Sequence, residues 1–255
     1  MTTPRGTLYV VPNTLDFGTG EASVELGERL PLGVLRIAAR LEHWLGENAK
    51  TTRAFLKRVD ALCALALPLQ QVAIVELPRA PKGRADVPAF DAARLLAPAL
   101  AGSDLGLIAE AGLAGVADPG ALVVAAAHGA GVRVVALPGA SSITLALAAS
   151  GLNGQSFAFL GYLPIEAEAR RARIRELEAA SRRQGQTQVM IETPYRNQAL
   201  LAALMAELQA TTLLSVSVGL TLAAESTRSE PVARWRAHPG ELPADVPAVF
   251  SFLAR

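Results

Sequence analysis

The sequence predicts an α/β chain of two domains, the first built on a mainly parallel sheet and the second on a mixed one. Three observations lead there. In the first half, short β-branched apolar segments alternate with longer Ala/Leu-rich segments, the pattern of βαβ units. Several of the short segments are apolar at nearly every position, as strands are when helices cover both faces. After Gly151 the alternation loosens and a highly charged run appears. A boundary is therefore placed at the turn-like stretch Gly151–Gln155, giving domains 1–150 and 155–255.

The first-half strands are read as Thr7–Val11, Gly33–Ala38, Leu105–Ala109 and Val132–Leu137. Asp91–Leu100 and Ala121–His128 read as helices. A further helix begins at Asn48, whose side chain suits the N-cap, and Phe55, Leu56 and Val59 give it an apolar stripe. In the second half, Phe157–Leu160, Gln188–Glu192, Leu213–Val218 and Val246–Phe252 read as strands, and Glu166–Arg183 reads as a charged helix.

Composition sets limits. The 255 residues are 51% hydrophobic and 18% charged, which is globular rather than disordered. A net charge of +1 gives no global basic field, so any nucleic-acid contact must rest on a local patch. Cys63 stands alone and has no disulfide partner in the chain, as in a reducing compartment. Met1–Gly6 lacks the layout of a signal peptide, and no apolar stretch reaches the roughly 20 residues of a membrane span. A cytoplasmic protein without a membrane segment is expected. The three histidines, His43, His128 and His238, have no metal-ligand spacing, so no metal is expected.

The most informative stretch runs from Leu107 through Glu110-Ala111-Gly112-Leu113-Ala114-Gly115-Val116-Ala117 to Asp118-Pro119-Gly120. A buried strand leads into a loop with three glycines, and a helix follows. Ligands of open α/β sheets bind at such carboxyl ends, and glycine lets backbone approach them closely. Asp118 also suits the N-cap and Pro119 the first helical position. Leu137-Pro138-Gly139-Ala140-Ser141-Ser142 repeats the arrangement after the next strand. If their strands are neighbours, the two loops share one crevice. Neither a G-x-G-x-x-G nor a phosphate loop is present.

These loops, with Gly6–Pro12, Ser150-Gly151-Leu152, Phe159–Pro164 and Glu192-Thr193-Pro194-Tyr195-Arg196, resemble in order and spacing the tetrapyrrole-methylase superfamily. The branch most similar is the bacterial ribosomal RNA 2′-O-ribose methyltransferases. The resemblance spans nearly the whole chain. It implies two α/β domains with a cleft between them, a homodimer, and S-adenosylmethionine as cofactor. By position, the implied cofactor contacts are Pro12, Glu110, Ala111, Gly112, Val116, Ala117, Ser141, Ser142, Thr193, Pro194 and Leu220. The branch also implies ribosomal RNA, or the small ribosomal subunit, as partner.

The chain departs from that branch on the substrate side. Where the branch carries D-A-G-T-P, this chain has Glu110-Ala111-Gly112-Leu113-Ala114. Pro12–Gly18 replaces the branch's early loop A-T-P-I-G-N-L-x-D. Glu47-Asn48-Ala49-Lys50-Thr51-Thr52-Arg53 stands near the place of E-D-T-R, after an apparent extra segment Arg40–Gly46. Asn48, Lys50 and Arg53 are the candidate substrate-side and catalytic groups. Glu110, Asp118, Asp16 and Glu47 are the other candidate acids and bases. Glu110 is also placed to meet the cofactor's charged amino-acid end.

Six arginines between Arg170 and Arg183 face Glu166, Glu168, Glu176 and Glu178. Such a helix either grips phosphates or forms a salt-bridged solvent face. Trp44, Trp235 and Tyr195 are aromatic candidates for stacking on a base or macrocycle, with packing as the simpler role. Three functions follow from these residues together: methyl transfer to ribosomal RNA ribose, methylation of a tetrapyrrole or other small molecule, and a non-catalytic cofactor-binding relative.

Overall fold

A computed structural model describes residues 4–16, 25–78 and 91–255. Internal contacts divide the chain into two units, Met1–Ser141 and Ser142–Arg255.

The first unit is a five-stranded parallel sheet. Its strands are β1 (Thr7–Val11), β2 (His43–Gly46), β3 (Ala73–Glu76), β4 (Leu105–Ile108) and β5 (Arg133–Ala136), in the order β3-β2-β4-β1-β5. Its helices include α1 (Leu26–Arg29), α2 (Leu32–Arg40), α3 (Ala49–Asp60), α4 (Ala92–Leu95), α5 (Ala97–Leu100) and α6 (Gly120–Gly129). Alternate strand residues serve opposite faces. Val11, Trp44 and Ile108 pack with α1, α2 and α3 in one core. Leu8, Val10, Leu45, Leu105 and Leu107 pack with α5 and α6 in another. Both faces are covered, which explains why β4 is apolar and buried along its whole length.

One strand expectation is overturned. Gly33–Ala38 lies within α2, where Val34, Leu35, Ala38 and Ala39 are buried. Those positions fall on one side of a 3.6-residue helix, and a pair of alanines favours it further. The second strand is instead β2, inside the stretch read as an extra segment. Glu47 therefore follows the second strand directly, with no insertion between them.

Helix α7 (Ser142–Ser150) belongs to the second unit, packing on its sheet. The division between units accordingly falls ahead of Gly151–Gln155. The second sheet contains β6 (Phe157–Phe159), β7 (Thr187–Glu192), β8 (Leu213–Val218), β9 (Ser226–Pro231) and β10 (Ala248–Leu253), in the order β6-β7-β10-β8-β9. Only β6 and β7 pair in parallel. On one face, Met190, Leu214, Val216, Phe250 and Phe252 form a core with α8 (Ala167–Gln184), α9 (Asn197–Glu207) and α10 (Val232–Ala237). Ser215, Ser217 and Ser251 alternate with these residues and are also buried. The Ser229 hydroxyl donates to the Ser150 carbonyl at 2.6 Å, tying β9 to the end of α7.

Candidate functional site

Parallel pairing puts the carboxyl ends of β1, β2 and β4 side by side, since Val11 and Gly46 both stand opposite Ile108. The chain leaves all three strands at one sheet edge. The Asn13 amide nitrogen donates to the Gly112 carbonyl at 2.8 Å, and the Gly112 amide donates to Thr14 O at 3.4 Å. The Asn13 side chain donates to the carbonyls of Ala109 (3.1 Å) and Glu110 (3.0 Å). These bonds satisfy buried polar groups that would otherwise cost about 1–3 kcal/mol each.

The loop after β5 joins them. Gly139 lies so close to Pro12 that a Cβ there would stand 2.2 Å from Pro12 Cβ. Gly112, at φ +67°, would direct a Cβ to within 3.6 Å of the Ala140 carbonyl oxygen. The two glycine turns are thus neighbours in space although their strands are not, since β1 lies between β4 and β5.

Glu47 and Asn48 complete the edge. Glu47 Oε2 accepts from the Glu110 amide at 2.7 Å. Asn48 caps α3 by accepting from the Lys50 amide at 2.9 Å, while its Nδ2 donates to Glu110 Oε1 at 2.8 Å. Of the three substrate-side candidates, Asn48 reaches the glycine loop. Lys50 and Arg53 stand exposed on α3.

Arg58, which sequence reasoning missed, holds the early loop from the same helix. Its guanidinium pairs with Asp16 at 3.1 Å and donates to Thr14 Oγ1 at 3.2 Å. Thr14 in turn donates to Asp16 at 2.6 Å. The only local signal was an arginine beside the buried stripe of an otherwise amphipathic helix. Phe17 and Gly18 of the early loop lie outside the described residues.

Asp118 binds its own loop. Its carboxylate accepts from the Gly115 amide at 2.9 and 2.8 Å and from the Gly120 amide at 2.7 Å. The helix starts at Gly120, one residue ahead of the stretch read as helical, and Pro119 is its N-cap rather than its first position; such ends shift by a residue or two with definition. Burial pushes the Asp118 carboxyl above its ordinary value, against the lowering effect of the bonds from Gly115, Gly120 and Val116. A carboxyl raised in the folded state contributes stability that is complete below the unfolded value, about 3.9, and lost as pH rises through the folded value. Asp118→Asn keeps an oxygen acceptor but carries no charge. Denaturant unfolding should show this variant gaining stability relative to the parent between pH 4 and 7.

Among the described residues, the non-glycine positions with positive φ are Ala117 (63°) and Thr221 (70°). L-residues adopt this backbone at a cost of roughly 1–2 kcal/mol. Ala117 is a family-implied contact, and Thr221 follows another, Leu220, just beyond β8. Replacing Thr221 by glycine removes the strain but adds unfolded-state entropy of about 0.5–1 kcal/mol. Thr221→Gly should therefore raise stability by about 0.5–1 kcal/mol, read from the urea midpoint.

The remaining implied contacts are placed as follows. Pro12 and Gly112 are buried, Glu110, Ala111 and Ser141 are half-buried, and Val116 and Ala117 are exposed. Ser142, Thr193, Pro194 and Leu220 belong to the second unit. There, Thr193 and Pro194 lead into a 3-10 turn, Pro194–Arg196. Buried Glu192 accepts from the Thr193 amide (2.7 Å), Arg196 Nε (2.9 Å) and Arg196 Nη2 (2.6 Å). Arg196 also lies 5.6 Å over the ring of Tyr195, which is 73% exposed. The two tryptophans are packing residues: Trp44 is buried edge-on to Phe55, and buried Trp235 donates to the Leu214 carbonyl at 2.9 Å.

Half of the six arginines of the charged helix are ion-paired. Arg171 pairs with Glu168 (3.0 Å), Arg173 with Glu176 (2.6 Å) and Arg175 with Glu207 (2.6 Å). Among the described residues, no group of three metal-ligating side chains is found, and no helix is long and apolar enough to cross a membrane.

Known proteins give this geometry a context. The family model "Tetrapyrrole (Corrin/Porphyrin) Methylases" matches residues 28–234. The protein named ribosomal RNA small subunit methyltransferase I in Mycobacterium bovis is 43% identical over 100 residues, 39% of this chain and 34% of that protein. Its namesake in Mesorhizobium japonicum is 34% identical over 136 residues, 53% of this chain and 45% of that protein. The chain thus spans less than half the length of these curated relatives. Among solved structures, uroporphyrin-III-C-methyltransferase from Thermus thermophilus superposes with a TM-score of 0.54 at 21% identity, covering 98% of this chain and 94% of that one. The methyltransferase CobJ superposes at 0.58 with 15% identity, covering 98% and 94%. At such identities the likeness is one of fold.

Proposed function

The chain belongs to the tetrapyrrole (corrin/porphyrin) methylase family, and on that premise we propose that it transfers a methyl group from S-adenosylmethionine to a ribose 2′-hydroxyl of small-subunit ribosomal RNA. The observation that carries the proposal is the meeting of the two glycine turns at the carboxyl edge of the parallel sheet, where Gly112 approaches Ala140 and Gly139 approaches Pro12. The relatives named for ribosomal RNA methylation support the choice of acceptor. A homodimer in the cytoplasm is part of the same proposal.

The residues at this edge fit the cofactor. Backbone at exposed Val116–Ala117, next to Gly115, is accessible to a nucleoside, as glycine-bearing loops allow. Glu110 and Glu47 bring carboxylates to the strand ends, suited to a cationic sulfonium and ammonium. When bound, S-adenosylmethionine supplies an already activated methyl group. The chain's task is then to position the acceptor and exclude water, and positioning alone is worth roughly 7–11 kcal/mol. Asp118 is engaged by the amides of its own loop and Asp16 by Arg58. Glu47, which accepts from the Glu110 amide, and Glu110, which accepts from the Asn48 side chain, are the carboxylates proposed to take up the hydroxyl proton.

The test is titration calorimetry with S-adenosylmethionine and its demethylated product, followed by methyl transfer to undermodified small ribosomal subunits. Binding of both nucleosides and label on ribose oxygen are expected. Failure of either nucleoside to bind at high micromolar concentration rules out the enzyme. Binding with transfer only to a tetrapyrrole rules out the RNA acceptor.

A further inference from the structure

We propose that the outer face of α3 is the phosphate-gripping surface for the RNA acceptor, a proposal that rests on the RNA reading above. Helix α3 carries Lys50, Arg53, Lys57 and Arg58 against a single acid, Asp60. Its inner face is Thr52, Phe55, Leu56 and Val59, all buried. Arg58 turns inward to Asp16 and Thr14. Lys50, Arg53 and Lys57 follow the i, i+3, i+7 spacing, which brings them within an arc of about 60° on the opposite side. All three are exposed. Among the described residues none of them forms an ion pair.

Three features direct this stripe to a phosphate backbone. First, it runs about 10 Å along the helix axis, while phosphates recur every ~3.4 Å along one strand of a stacked duplex. Second, its Lys50 end lies two residues from Asn48, which is bonded to Glu110 of the glycine loop, so the cations line one approach to the candidate site. Third, Lys50 occupies the first turn of α3, where the helix dipole already disfavours a cation; an anion there relieves that cost. Of the acids near the stripe, Glu76 accepts from the Ala49 amide at 2.6 Å, Asp60 from the Leu65 amide at 3.0 Å, Glu47 from the Glu110 amide and Glu110 from Asn48 Nδ2. The more arginine-rich α8 pairs Arg171, Arg173 and Arg175 with carboxylates, so those three cations are already matched within the protein.

The experiment compares the parent protein with the triple variant Lys50→Gln/Arg53→Gln/Lys57→Gln and with Arg171→Gln/Arg173→Gln/Arg175→Gln. Thermal unfolding checks that each variant is folded. Anisotropy of a labelled small-subunit ribosomal RNA fragment is followed from 50 to 200 mM salt. The α3 variant should lose roughly 10- to 100-fold in affinity at 0.1 M salt, and its salt slope should fall by about 3, close to 0.9 for each of three duplex phosphates. The α8 variant should keep the parent slope. An unchanged slope in the folded α3 variant overturns this proposal while leaving the methyl-transfer reading intact. A parent protein that binds the cofactor but no RNA removes the RNA reading and this proposal together. Salt-sensitive binding to anionic phospholipid vesicles in preference to RNA overturns it as well. If Lys50→Arg/Lys57→Arg retains RNA affinity, the effect is one of charge, as expected; loss of affinity in that variant overturns it.

Discussion

Gly139→Ala should lower stability by about 3 kcal/mol and weaken S-adenosylmethionine binding at least tenfold. The new Cβ would overlap Pro12 Cβ at 2.2 Å and Cγ at 2.4 Å, distances that force one loop to move. Pro12 yields poorly: β1 precedes it, and the Asn13 amide that follows is bonded to Gly112. Overpacking of this kind costs about 1–3 kcal/mol, occasionally more, and two stiff backbones place it at the upper end. Urea unfolding and calorimetry measure the two effects. Pro12→Gly removes the opposing ring, so the double variant should be more stable than the sum of the single changes predicts. Strict additivity would show that the clash is absorbed elsewhere.

Glu192→Ala should cost about 3 kcal/mol. The carboxylate is buried at the end of β7 and accepts from Thr193 and twice from Arg196. Truncation leaves the Arg196 guanidinium, itself only 24% exposed, without its counter-charge, and breaking such a pair from one side costs about 3–5 kcal/mol when both members are buried. Glu192→Gln keeps an acceptor for Thr193 and should recover about half the loss. Denaturant midpoints distinguish the two variants. Equal stability of Glu192→Ala and the parent would mean that Arg196 finds water at no cost.

The strands that could be read directly were those whose physics is uniform. β1 and β4 are apolar because both sheet faces are covered, and β10 is apolar because it lies between β7 and β8. β2, β3 and β9 escaped notice for physical reasons. β2 is four residues long and contains His43 and Gly46. β3 is a largely exposed edge. β9, Ser-Thr-Arg-Ser-Glu-Pro, is an edge whose polar side chains face water and which ends on a proline. The segment Gly33–Ala38 misled because five residues without charge around one arginine do not span enough turns to show their period. At the site, the glycine loops were legible because turn chemistry is local. The Arg58–Asp16–Thr14 clamp was not, because it joins residues up to 44 positions apart and no periodicity records such a pairing.

Asn48 carries a consequence for what the chain tolerates. Its side-chain oxygen is committed to the Lys50 amide and its nitrogen to the Glu110 carboxylate, so each end of one small planar group has an assigned partner. Aspartate has the same shape and would serve the helix as well, yet it would turn an oxygen toward an oxygen at the other end. A shape-preserving exchange, even one arising from spontaneous loss of the amide nitrogen in an ageing protein, would thus spare the start of α3 and push Glu110 away from it.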